Sequence, residues 1–141
     1  MNYDRLVEEL KQDEGFRSKP YYDSVGKLTI GYGRNLTDVG ITEREASDLL
    51  TNDIIKAYRI AAELVPIWAL LDDARQDVLA NMAFNMGAGT LATFKNFLAA
   101  VNNKQFGLAA KHGRDSKWYK QVGQRAERLM TVMETGDVPS R

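Results

Sequence analysis

The 141-residue sequence predicts a mainly α, α+β fold, with a small β segment near the N-terminus and helices over most of the remainder. Three observations predict it. Apolar residues recur at three- and four-residue steps through most of the chain. Residues 16–33 break that rhythm with Pro20, Gly26, Gly31 and Gly33 set among β-forming residues. An unbroken helical period then runs from about residue 42 to 64, long enough to join a β lobe to a helical lobe.

In order along the chain, Tyr3, Leu6, Val7 and Leu10 share one face of a first helix, over about 2–14, and Gly15 is placed to stop it. Tyr21, Tyr22, Val25, Leu28, Ile30 and Tyr32 supply the strands of a hairpin or three-stranded sheet, within a β lobe of about 15–41, and Asp23-Ser-Val-Gly26 reads as its tight turn. Thr42-Glu43-Arg44-Glu45 is a capping box that opens the long helix, which Pro66 ends. The region of about 65–138 forms the helical lobe. Asp72 and Asp73 suit a helix N-terminus, and the run from Val78 to Met86, apolar nearly all round, belongs in a core and stops at Gly87. Phe94, Phe97, Leu98 and Val101 mark the next helix, with a turn at Asn102-Asn103. Short helices near 105–111, 116–121 and 124–134 follow, with a break at Gly113-Arg-Asp-Ser, and Gly136 and Pro139 close the pattern.

Composition narrows the chemistry. The length fits one domain, and 44% hydrophobic and 27% charged residues are those of an ordinary globular protein. The absence of cysteine excludes disulfides, thiol nucleophiles and zinc–thiolate sites, and the single histidine, His112, excludes an H-E-x-x-H metal site. No metal or organic cofactor is expected. Nineteen basic and nineteen acidic residues cancel, which argues against a bulk hold on nucleic acid or membrane. Charge is nonetheless uneven: seven bases lie between 104 and 128 against Asp115 and Glu127, while acids outnumber bases six to three between 37 and 63. Two solvated surfaces account for that; an electrostatic floor for an anionic polymer is the alternative. The N-terminal stretch lacks the apolar core of a signal peptide, and no stretch approaches a transmembrane span. A substrate outside the cytoplasm therefore implies release by another agent.

The residues that carry chemistry cluster between Glu14 and Thr29. Glu14 falls in the last turn of the first helix, where carbonyl dipoles disfavour negative charge, the direction a general acid needs. Asp23 sits in the β turn, and the hydroxyl of Thr29 lies six residues on. Two carboxylates in different surroundings are what glycosidic hydrolysis requires, one as acid and one as base, nucleophile or charge stabiliser. The plainer reading stays open beside it: Glu14 as a solvated helix end, and Asp23 as a turn residue capping nearby N–H groups.

The pattern E-x8-D-x5-T, here Glu14, Asp23 and Thr29, followed by T-I-G-Y-G, resembles the catalytic signature of the phage-type lysozymes, the bacteriophage endolysins of glycoside hydrolase family 24. A-F-N-M-G at 83–87 and W-Y-K-Q-V-G-Q-R-A-E-R at 118–128 resemble two further blocks of that family, in the same order. The resemblance implies a lysozyme-like fold with the first helix packing back on the helical lobe, and a muramidase that cuts the β-1,4 bond between N-acetylmuramic acid and N-acetylglucosamine. By motif position Glu14 matches the acid, Asp23 the second carboxylate, and Thr29 a residue beside the attacked sugar and a water. Arg125 matches an arginine that pairs with the acid, its charge opposing the dipole effect. Asn85 matches a side-chain amide near the acid. Asn35, Phe84 and His112 match substrate contacts.

Two departures from the family stand out. Arg34 replaces a histidine usual after T-I-G-x-G, and it is expected to pair with an acid on the long helix, Asp53 being the best placed. The net charge is zero, where enzymes acting on anionic walls are often basic. The resemblance further implies a monomer without stable membrane insertion, made in the host cytoplasm and acting on peptidoglycan in the periplasm after a separate membrane-permeabilising protein releases it. Three other readings remain: a lytic transglycosylase, which needs one glutamate and no Asp23; an inactive wall-binding module of the same fold; and, motivated only by the 104–128 strip, a nucleic-acid binder.

Overall fold

The structure, a computed structural model, describes residues 1–140, and 66% of it is helical. It comprises α1 (Tyr3–Glu14), β1 (Arg17–Tyr22), β2 (Leu28–Gly31), β3 (Arg34–Asn35), α2 (Glu43–Leu64), α3 (Asp73–Ala92), α4 (Lys95–Asn102), α5 (Phe106–Arg114), α6 (Lys117–Val122) and α7 (Gln124–Thr135). The α+β class and the three-stranded alternative for the β segment are both as expected. The chain divides into two compact units, Met1–Leu49 and a second beginning at Leu50, with the boundary inside α2.

In the first unit, Asn2 caps α1 by accepting a bond from Arg5 N, and the N–H of Gly15 closes the helix on Lys11 O. Gly15 takes φ +71°, a left-handed value that glycine adopts without penalty. None of the α1 residues is buried, and of the predicted apolar face Tyr3, Leu6 and Leu10 are exposed and Val7 is half-buried. The strands form an antiparallel sheet in the order β1-β2-β3. Tyr21 pairs with Thr29, and Thr29 with Asn35, while a bulge between Arg17 and Tyr21 shifts the register. Thr29 on the central strand is, among the described residues, the one buried polar side chain.

The capping box forms as read. Thr42 Oγ1 accepts from Glu45 N at 3.1 Å, and Glu45 Oε1 accepts from Thr42 N at 2.9 Å.

In the second unit, Ala57, Ala61 and Val65 meet Val78, Leu79 and Met82 of α3, Leu91, Phe97 and Val101, and Leu129, Met130 and Met133 of α7 in one apolar core. Asp72 caps α3 through Arg75 N. The glycine stop read at Gly87 takes the form of a break inside α3: φ +82° and ψ 168° interrupt the helix, which resumes for one more turn or so. A 3-10 turn at Trp68–Leu70 carries the chain past Pro66 and was not foreseen.

The expected break in Gly113-Arg-Asp-Ser falls at its last two residues, Asp115 and Ser116, between α5 and α6. Gly113 lies within α5, buried with Ala109 and Ala110. A side chain at 113 would overlap Met130 Sδ, so the glycine serves the close approach of α5 to α7 rather than ending a helix.

Candidate active site

The first unit gathers most of the predicted chemistry. Glu14 is the last residue of α1, and its carboxyl lies directly against the backbone of Gly33, just beyond β2. Asp23 opens the β1–β2 turn. Its N–H donates to Lys27 O, and its Oδ1 accepts from Val25 N at 3.0 Å and Lys27 N at 2.8 Å. The structural reading of Asp23 is therefore correct, and it leaves the chemical one intact. Two backbone donors fix one oxygen and the carboxyl plane, and Oδ2 is not used by the turn. Thr29 donates its hydroxyl to Lys27 O at 2.9 Å, so a single residue, Lys27, links Asp23 and Thr29 through its backbone.

Asn35 turns inward on its own loop. Its Nδ2 donates to Asp38 Oδ2 at 3.0 Å, and its Oδ1 accepts from Asp38 N at 2.9 Å. Asp38 in turn pairs with Lys27 Nζ at 3.2 Å, which ties the loop after β3 to the Asp23 turn.

The expected Arg34–Asp53 pair is corrected. Arg34 pairs with Glu45: Nη1 donates to Oε1 at 2.7 Å and Nη2 lies 2.6 Å from Oε2, a bidentate fork, and Nη1 also reaches Gly40 O at 3.2 Å. An acid on the long helix is indeed the partner, but one in its first turn. The capping box already aims the Glu45 carboxylate back toward the preceding loop, where Arg34 stands. The hydrogen bond from Arg34, followed by that from Thr42 N, lowers the Glu45 pKa to about 2. The same pairing raises that of Arg34. Asp53 instead lines a cavity of about 310 Å³ in the second unit with Lys56, Ile60 and Phe84.

The remaining predicted residues stand in the second unit. Phe84, on α3 next to the buried Met82 and Ala83, is 46% exposed and also borders a cavity of about 330 Å³ with Leu50, Ile54, Asn81 and Arg125. Arg125 donates through Nε and Nη2 to Asn81 Oδ1, at 3.0 and 2.7 Å. Asn85 Oδ1 accepts from Trp118 Nε1 at 2.8 Å, which fixes the amide so that its NH2 faces away from the indole. His112 borders a separate cavity of about 350 Å³ with Phe94, Asp115 and Ser116. Arg114 holds α5, α6 and α7 in place by pairing with Glu127 at 3.1 Å, and Tyr119 Oη donates to the same carboxylate at 2.6 Å. The Arg114 hydrogen bond keeps the Glu127 pKa low, and Glu127 raises that of Tyr119.

Sequence reasoning missed Gly33, Glu45 as a partner, Asn81 and Trp118. Trp118 stood inside a recognised block without being singled out. The other three act through contacts that no spacing rule within one helix or strand encodes. Among the described residues no group of three or more His, Asp or Glu side chains is placed to hold a metal ion.

The profile of the phage lysozyme family matches residues 11–132, which takes in both units and every candidate residue. The chain belongs to the phage lysozyme family. It is similar to the pre-baseplate central spike protein Gp5 of Enterobacteria phage T4, at 32% identity over 163 residues, covering 96% of this chain and 28% of that much longer protein. It is likewise similar to the probable T4-type lysozyme 2 of Dictyostelium discoideum, at 30% identity over 160 residues and 93% and 94% of the two chains. The endolysin of Salmonella phage P22 is 30% identical over 125 residues, covering 77% of this chain and 83% of its own. The protein is thus a lysozyme, a glycoside hydrolase whose substrate is peptidoglycan. Among its described residues no helix is long and apolar enough to cross a membrane.

Proposed function

We propose that this lysozyme hydrolyses the β-1,4 bond between N-acetylmuramic acid and N-acetylglucosamine, with Glu14 as general acid, as a member of glycoside hydrolase family 24. One observation carries the reading: Glu14, Asp23 and Thr29 lie in the same compact unit, and each is positioned differently. Glu14 rests at a helix end against a bare glycine, Asp23 is fixed by two N–H donors, and Thr29 is buried on the middle strand.

In this mechanism Glu14 protonates the leaving glycosidic oxygen. The Asp23 carboxylate, through its free Oδ2, stabilises the oxocarbenium-like charge and helps place a water, and Thr29 lies beside that water. Water attacks the anomeric carbon as the bond to oxygen breaks, giving inversion. Arg125 is assigned as the cation that supports the acid, its guanidinium oriented by Asn81, and Asn85, locked by Trp118, as the neighbouring amide. Asn35, Phe84 and His112 are assigned to substrate contact. The exposure of Phe84 supports this, because an aromatic on a core helix is otherwise buried. Because Asn35 is engaged with Asp38, its contribution is to shape the loop more than to donate from a free amide.

In its setting, the protein acts as a monomeric endolysin made in the host cytoplasm. It reaches the periplasmic wall through a separate membrane-permeabilising protein and brings about host lysis.

Clearing of outer-membrane-permeabilised Gram-negative cells tests the acid. Wild type clears the suspension and Glu14→Gln does not, a loss of at least about 1,000-fold for an essential proton donor. Equal clearing by the two proteins would sink the assignment. Mass spectrometry of the released muropeptides separates hydrolysis from transglycosylation, since anhydro products are lighter by one water.

A further inference from the structure

Beyond the three assigned residues, the contact between α1 and the turn after β2 points to a fourth that governs the reaction without touching substrate. We infer that Gly33 is a positioning residue: its missing side chain forms the seat that fixes the Glu14 carboxyl. The inference rests on the assignment of Glu14 as the acid and deepens it.

Two independent features require glycine here. The backbone at 33 has φ +73°, a left-handed value costly for residues with a Cβ. More tellingly, a Cβ built at this position would stand 2.6 Å from Glu14 Oε2, 2.8 Å from Cδ and 3.2 Å from Cγ. The first two approaches are closer than carbon atoms tolerate, and the atoms met are the carboxyl itself and the methylene that carries it. The Glu14 side chain is therefore packed along its length on the α-carbon of Gly33.

The rest of the contact is built to hold that approach. Tyr32, next in the chain, lies with its ring centroid 5.6 Å from that of Phe16 and with Lys11 Nζ 5.5 Å from its centre. Lys11 and Phe16 flank Glu14 on the end of α1 and just past it, and Lys11 O accepts the N–H of Gly15 that terminates the helix. Tyr32 thus grips the helix end from both sides of Glu14 while Gly33 meets the carboxyl between them. The contact rests one side of an otherwise exposed carboxyl on the backbone, and an acid that must deliver a proton to one oxygen gains from such support.

Gly31 supplies an internal control. It belongs to the same turn, has nearly the same φ, +69°, and a Cβ there would meet nothing within 4 Å. Alanine at either site bears the same left-handed strain, but only alanine at 33 displaces Glu14.

The experiment compares Gly33→Ala, Gly31→Ala and Glu14→Gln on soluble uncrosslinked glycan strands. Gly33→Ala lowers kcat about 100-fold with KM within about twofold, the loss expected when a catalytic group moves by about an ångström. Gly31→Ala stays within about threefold of wild type in both. In the Glu14→Gln background, Gly33→Ala lowers the residual rate no further than Gly31→Ala does. A thermal cycle gives a readout independent of turnover: Gly33→Ala melts below Gly31→Ala in the wild-type background, and the difference vanishes with Glu14→Ala, which removes the three atoms nearest the new methyl. An inactive Glu14→Gln beside a Gly33→Ala as active as Gly31→Ala overturns this inference alone. Full activity of Glu14→Gln overturns the assignment of the acid and this inference together.

Discussion

Alanine at Gly113 poses local helix propensity against tertiary packing, and the structure decides between them. Replacing a helical glycine by alanine is worth about 1 kcal/mol through propensity and the reduced freedom of the unfolded chain. Gly107, in the first turn of the same helix α5, shows that term alone, because a Cβ there meets nothing within 4 Å. Gly107→Ala therefore stabilises by about 0.4–1 kcal/mol. At Gly113 the same methyl overlaps Met130 Sδ and comes within 3.2 Å of Cγ and 3.4 Å of Cε. Met130 has no exposed surface, so its thioether has no open space into which to swing. Overpacking of this kind costs about 1–3 kcal/mol, which cancels or outweighs the propensity gain. The two variants should differ by about 1–3 kcal/mol, or roughly 4–10 °C in Tm for a chain of this size. Differential scanning calorimetry on the pair measures it. A Gly113→Ala protein that melts as high as Gly107→Ala would refute the claim that the α5–α7 approach, and not helix geometry, selects this glycine.

Two further outcomes follow from the charged networks. Arg75 donates through Nε to Met133 O at 2.7 Å and through Nη2 to Glu134 O at 3.0 Å, and its guanidinium lies 3.8 Å from the centre of the Phe106 ring. Arg75→Ala strips the end of α7 of two charge-assisted bonds and should cost about 2–4 kcal/mol in urea unfolding, with Arg75→Lys recovering less than half because it lacks the fork. The Arg34–Glu45 pair predicts a pH dependence. Because the folded Glu45 pKa is depressed to about 2, its contribution is full above the unfolded value near 4.5 and is lost as pH falls from there toward 2. The contribution of this pair to stability should therefore be constant between pH 6 and 9. NMR titration should find the Glu45 carboxyl near 2 in wild type and moved toward 4.5 in Arg34→Ala.

The sequence by itself determined the elements and the chemistry they carry. Periodicities of three and four, the Thr42–Glu45 box, Asp72 and the glycines at 15 and 87 are local signals. A helix or turn forms largely from its own residues, so those signals were legible without a fold. Glu14, Asp23 and Thr29 were legible for the same reason: they lie within sixteen residues of one another and match a family motif. Tertiary structure decided what distant residues do to each other. Arg34 meets Glu45 rather than Asp53 because a capping carboxylate already faces the loop that delivers the arginine, and Asp53 stands about two turns further along the helix. Gly113 reads as one residue of the break between α5 and α6 until Met130 is packed against it. Gly33 reads as one more turn glycine until the end of α1 brings a carboxyl onto its α-carbon. In each case the deciding quantity is a distance of a few ångströms between segments that nothing along the chain brings together. Only burial and register set it, and they left Glu14 resting on the one residue type that could receive it.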